Sequence, residues 1–143
     1  MSDQQKTPSA PWHLWVVGGL LLIWNSIGAF DYIATTTRYE PYLAGFPKEI
    51  LDYYFNVPTW MYVMWGGSML GGFVSAVLLL ARRKIVVPVT IFAWVCSLVA
   101  AVYTYMNPVP GAGGGIVFYI TVLTAVLLIV LYMVWLSRRG VLR

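Results

Sequence analysis

The chain has 143 residues, 60% of them hydrophobic and 10% charged, with a formal net charge of +4. A soluble domain carries about a quarter of its residues charged, whereas the nine Lys/Arg and five Asp/Glu here fall almost wholly outside four long apolar runs. That distribution excludes a soluble enzyme, a nucleic-acid binder and a disordered chain. It implies an all-α membrane protein, a four-transmembrane-helix bundle with the lipid bilayer as its main surroundings.

A spanning helix needs roughly 20 apolar residues, and four stretches meet that length: about 12–36, 58–81, 85–106 and 116–137. Residues 1–11 (MSDQQKTPSAP) are polar and contain proline, so they read as a flexible cytoplasmic tail, leaving 12–143 as one transmembrane domain. The first span, with Ser26 and Gly28 as small residues, could be mistaken for a secretory signal. A single preceding base, Lys6, and the tryptophans Trp12, Trp15 and Trp24 favour a retained span instead. Trp12 and Trp15 stand where aromatic rings favour the headgroup layer, and His13 between them reads as an interfacial anchor.

The first span also carries the polar residues. Asn25 and Ser26 fall near the bilayer midplane, and Asp31, beside Tyr32, lies about 9 Å further along the axis. Polar groups in hydrocarbon need partners, so these should face the bundle or water. One reading makes Asp31 a proton- or cation-coupling carboxylate, with Asn25, Ser26 and Tyr32 beside it around a solute. The plainer one puts Asp31 at the outer interface, capped by Tyr32 or paired with Arg38, and bonds Asn25 to a neighbouring helix. His13 shares a helix face with Asp31 but lies about 27 Å away along the axis, too far for a relay.

In the first loop, FPKEILDYYF predicts a short amphipathic outer helix over about 46–55. Phe46, Ile50, Leu51 and Tyr54 share one face, with Lys48, Glu49 and Asp52 opposite. The same loop interleaves Glu40, Glu49 and Asp52 with Tyr39, Tyr42, Tyr53, Tyr54 and Phe55. A sugar or organic-cation site uses that mixture, and so does any outer membrane interface.

The second span presents Gly67, Gly71 and Ser75 at spacings of four, and beside them Ser68, Gly72 and Ala76. Such rows let another helix approach closely, replacing the missing hydrophobic drive with packing. They suit pairing inside one bundle, against Ala93, Ser97 and Ala101 of the third span, or docking of a second copy or another membrane protein subunit. The third span opens near Pro88, holds the lone Cys96, and ends before the uncharged loop PVPGAGGG.

One Cys and one His cannot build a four-ligand zinc site, a bis-histidine haem site or an iron–sulfur cluster, so neither metal nor cofactor is expected. There is no Ser-His-Asp set, and the glycine run 113–115 lacks the Lys and Ser/Thr of a phosphate loop, which disfavours an enzyme. Lys6, Arg82, Arg83, Lys84, Arg138, Arg139 and Arg143 make seven bases on one side; Arg38 and Lys48 make two on the other. The bias puts both termini in the cytoplasm.

The block PWHLWVVGGLLLIWNSIGAFDY (11–32), with Trp24, Asn25, Ser26, Phe30, Asp31 and Tyr32 as its signature, resembles a group of short four-span bacterial proteins that carry the label "sugar transporter". The resemblance covers the first span and its loop best. It implies a multi-pass protein of the bacterial inner membrane. Two functions follow from the residues as expectations. The first is a non-enzymatic accessory or scaffold subunit that packs against other membrane proteins through the small-residue rows. The alternative is a small-solute transporter, for sugars in one version, that acts as a homo-oligomer.

Overall fold

The computed structural model describes residues 9–111 and 115–143. Six helices follow one another: α1 (Trp12–Thr36), α2 (Glu40–Leu43), α3 (Lys48–Asn56), α4 (Thr59–Leu80), α5 (Val86–Met106) and α6 (Ile116–Arg138). The described residues contain no strand. Helices α1, α4, α5 and α6 are each long and apolar enough to cross a membrane. Their outward positions bear this out, since Leu20, Ile23, Trp24 and Ile27 of α1 and Leu128 and Leu131 of α6 are exposed apolar side chains. The tail expected over 1–11 lies mostly outside the described residues.

Local chemistry sets the boundaries. Pro11, Pro47 and Pro58 each stand immediately before a helix, at φ −65°, −57° and −59° with ψ near 145°. A missing N–H costs nothing at a position where no intrahelical acceptor exists. At the far ends, α1, α4 and α6 finish in the same way, through a residue in the left-handed region: Arg38 (φ 55°), Arg82 (φ 56°) and Gly140 (φ 70°). In each, the following N–H reaches back across the last turn: Tyr39 to Ala34 O, Arg83 to Leu78 O and Val141 to Leu136 O, at 2.8, 2.9 and 3.1 Å.

The four long helices pack in sequence, α1 on α4, α4 on α5, α5 on α6. α1 and α6 meet at the end where α1 begins and α6 finishes, and there His13 Nδ1 and the Tyr132 hydroxyl are 2.6 Å apart. That end also carries the tightest core: Leu14, Leu79, Val86, Met133, Leu136, Val141 and Leu142. Towards the opposite end α6 is less covered by its neighbours. Its buried residues are Val130, Met133 and Leu136, and none of those from Ile116 to Ile129 is buried.

Two features depart from expectation. The loop holds two helices rather than one, because Glu40-Pro41-Tyr42-Leu43 winds a single turn with Pro41 near its start. The segment 141–143 is not a free basic flank but a strap. Arg143 N–H donates to Arg82 O at 2.6 Å, Lys84 N–H to Arg143 O at 2.7 Å, and Arg82 Nε to Val141 O at 3.0 Å. Leu142 is buried beneath it.

Candidate functional site

The functional residues expected from sequence sit on two helices, α1 and α4, and the structure brings Tyr32, Asn25 and Gly72 to the antiparallel seam between them. Descending α4 from its far end, Gly66 faces the ring of Tyr32, Met69 lies against Gly28, Gly72 faces Asn25, and Leu80 lies against Gly18. At each of these glycines a Cβ would fall under 3.0 Å from the facing side chain. The helices therefore approach as closely as they do because those side chains are hydrogens. Tyr32 also stands edge-on to Trp65, with centroids 5.1 Å apart.

The other row of α4 turns towards α5. A Cβ at Gly67 would stand 2.7 Å from Cys96 Sγ, and one at Gly71 would stand 3.0 Å from the Ala93 Cβ. Ser68 and Ser97 hydroxyls are 2.6 Å apart, an interhelical hydrogen bond in the seam. Ser75 is buried and donates to its own Gly71 carbonyl, and Ala76 is fully buried. All six small residues thus lie on faces that meet α1 or α5 of the same chain, or between them.

One stretch of this surface remains open. Between α1 and α5 runs a shallow apolar groove of about 510 Å³, floored by Gly66, Gly67 and Gly71 and rimmed by Leu70, Val74 and Phe92. Leu70 and Val74 are exposed on its rim. Tyr32 closes the groove on the α1 side. Gly67 and Gly71 line the groove while also packing on Cys96 and Ala93, and nothing in the sequence marks which part of the rows stays uncovered.

The polar residues of α1 turn out to have different partners from those expected. Asn25 Nδ2 donates to Leu21 O of its own helix at 2.8 Å, not to a neighbouring helix, and Ser26 Oγ donates to Leu22 O at 2.6 Å. Both close a bond four residues back, which a short polar side chain in a helix reaches without help from another element. Asp31 is capped neither by Tyr32 nor by Arg38. Tyr42 of α2 donates its hydroxyl to Asp31 Oδ1 at 2.7 Å, while the Arg38 guanidinium lies over the Phe55 ring at 4.5 Å. Burial, then the hydrogen bond to Asp31 and its negative charge, push the Tyr42 hydroxyl up to about 12. Phe30 and Phe46 flank Tyr42 at 5.2 and 5.3 Å, so the latch sits in an aromatic wall.

A second cleft, of about 440 Å³, opens between α3 and the end of α5 and is lined by Tyr53, Asn56, Tyr103 and Asn107 among others. Tyr53 donates to Asn107 O at 2.8 Å at its edge. The loop carboxylates Glu40, Glu49 and Asp52 are exposed and do not line it, so the mixed aromatic and acidic residues of the loop are not gathered around a cavity there. Neither cleft is lined by Asn25, Ser26 or Asp31. Among the described residues no group of three or more His, Cys, Asp and Glu converges, and every buried side-chain nitrogen and oxygen has a hydrogen-bond partner.

His13 is held more firmly than an anchor at the headgroup level needs to be. Besides its bond with Tyr132 it lies within 6.0 Å of the Trp12 and Trp135 rings, and Arg139 stacks over Trp135 at 4.7 Å. Sequence reasoning missed the Tyr132 partner, because a contact between α1 and α6 leaves no local signal.

Comparison with protein-family models, with curated proteins and with solved structures finds no match to this chain.

Proposed function

We propose that this protein is a non-enzymatic accessory subunit of the bacterial inner membrane, with both termini cytoplasmic, and that it receives a helix of another membrane protein in the α4 groove. The observation that carries this reading is the shallow apolar groove between α1 and α5, lined in part by Gly67 and Gly71, with Leu70 and Val74 exposed at its rim. In hydrocarbon there is no hydrophobic drive between helices, and association rests on close backbone approach. A shallow groove lined by glycines and apolar side chains lets a second helix come near the α4 backbone. The excess of bases at the Arg82–Lys84 turn and around Arg138–Arg143 supports the orientation.

The alternative, a small-solute transporter acting as a homo-oligomer, draws on Asp31, the one carboxylate within a span among the described residues. Its bond to Tyr42 places it beside the loop helices, where a solute would enter or leave. Four helices with their polar residues already engaged leave a solute path to be built between copies.

A mild-detergent pulldown of the tagged full-length chain separates the two. Wild type should bring down a foreign membrane protein in stoichiometric amount. Leu70→Trp with Val74→Trp fills the groove from its exposed rim and should reduce that partner by about tenfold or more, given typical losses at an interface core. Isolation of a homo-oligomer alone, undisturbed by the two tryptophans, would overturn the accessory reading. Solute uptake with Asp31→Asn as the control would then be the measurement of choice.

A further inference from the structure

We infer that the end of the bundle bearing the termini binds the headgroup of an anionic phospholipid, at a site composed from two basic segments far apart in sequence. The turn after α4 supplies Arg83 and Lys84, and the end of α6 with its strap supplies Arg138 and Arg143; all four are exposed. Loose flanking bases would be independent of one another, but these are not. The Lys84 N–H to Arg143 O bond at 2.7 Å and the Arg143 N–H to Arg82 O bond at 2.6 Å fix one segment against the other. Val141 and Leu142, 6% and 1% exposed, anchor the strap in the core beside Leu14, Leu79 and Met133. Arg82 and Arg139 are used in building the platform, the first on Val141 O and the second over Trp135.

Among the described residues no acidic side chain stands at this end. The described acidic residues are Asp31, Glu40, Glu49 and Asp52, and all of them lie at the opposite end of α1 or in the loop that follows it. The platform stands at the ends of four spanning helices, at the level of Trp12, His13 and Trp135, where aromatic side chains mark the headgroup layer. A phosphodiester at that depth meets two basic segments whose backbones are tied together, and guanidinium and ammonium groups make charge-assisted bonds to phosphate oxygens. A soluble phosphate ester shares this chemistry, but the position of the platform at the membrane surface selects the lipid. The inference is independent of the α4 groove, which lies on a lateral face of the bundle.

The test is native mass spectrometry of the full-length protein in detergent, titrated with phosphatidylglycerol, with phosphatidylcholine as the zwitterionic control. Phosphatidylglycerol should bind in a defined stoichiometry and phosphatidylcholine should not. Each basic residue near an anionic headgroup is worth about fivefold in affinity, so Lys84→Gln with Arg143→Gln should weaken binding by about twentyfold or more. Lys48→Gln, at the other end, should change nothing. Leu142→Gly keeps every charge and releases the strap; for a composed site it too should weaken binding, and scattered surface charge would be indifferent to it. Circular dichroism checks that each variant keeps its helices. Equal binding of the two lipids, or full affinity in the folded Lys84→Gln/Arg143→Gln protein, would overturn the proposal. Displacement of the lipid by millimolar inorganic phosphate would overturn it in favour of a soluble anion.

Discussion

Asn25 of α1 occupies the space that a side chain at Gly72 of α4 would need: a Cβ at that glycine would stand 2.0 Å from Asn25 Oδ1. The seam between the two helices is therefore tuned at one point to the absence of a methyl group. Gly72→Ala should destabilise the protein by about 1–3 kcal/mol, the usual range for forcing extra atoms into a packed interior. Asn25→Ala in the same chain removes the obstruction and should restore most of the loss. Unfolding by SDS titration in micelles measures both, and a Gly72→Ala protein as stable as wild type would sink the account.

The Ser68–Ser97 pair, 2.6 Å between hydroxyls, makes the corresponding polar link between α4 and α5. Hydrogen bonds between membrane helices average about 0.6 kcal/mol in double-mutant cycles. Ser68→Ala and Ser97→Ala should each cost about that much, and the double variant should cost no more than one of them. Strict additivity in the cycle would show that the two hydroxyls do not interact.

Tyr42 and Asp31 tie the loop to α1, and the link has a defined pH dependence. The Tyr42 hydroxyl is raised from 10.0 to about 12 by burial and by its carboxylate partner. A group whose pKa is higher folded than unfolded contributes stability that is whole below the unfolded value and is lost as pH rises through the folded one. Here the loss runs between about pH 10 and pH 12. Thermal melts of wild type and Tyr42→Phe should converge across that window, the variant lacking this share of the decline. At neutral pH Tyr42→Phe should cost about 1 kcal/mol, near the low end for a bond to a charged group, because both residues are half-exposed. A constant difference between the two proteins from pH 9 to pH 12 would contradict the assignment.

Cys96 is 1% exposed and faces Gly67 across the seam between α4 and α5. A thiol so placed reacts when the helices part. A membrane-permeant maleimide should label it more than about tenfold more slowly in the folded protein than after denaturation in SDS. Gly67→Ala, whose new Cβ would press on the sulfur at 2.7 Å, should speed labelling. Rapid labelling of the untreated wild type would place Cys96 outside the packed interior.

How far sequence reveals such a molecule depends on the range of the interactions involved. The four spans were legible because an apolar run of membrane length has one stable outcome: the stretches 12–36, 58–81, 85–106 and 116–137 each stand within a residue of α1, α4, α5 and α6. The small-residue rows were legible as close-approach surfaces because their spacing follows the helix period. Which row meets which helix was not, since Gly67 and Gly72 look alike until Cys96 and Asn25 are placed opposite them. The plainer reading of Asp31 gives it a neighbour in sequence, Tyr32 or Arg38, but a one-turn helix carries Tyr42 back to it instead. The strap was hidden for another reason. The basic residues around it point to a solvated flank, and its signal was two apolar residues, Val141 and Leu142, which have no periodicity to give them weight. In α6 the apolar residues run all the way round, so no stripe told which face would be covered.

The unequal hold on α6 makes the bundle mechanically directional. Its first half has no buried residue and is tied by the Trp94 indole N–H on Leu123 O at 3.1 Å, while its second half is held by buried Met133 and Leu136 and by the strap. Force applied from the loop before α6 would peel that helix away at low load until it reached Val130 and then meet a sharp rise. The same force applied through the strap would strain the whole assembly from the first ångström. Single-molecule pulling from the two ends should therefore yield two different records for one protein, a long soft ramp from one side and an abrupt rupture from the other.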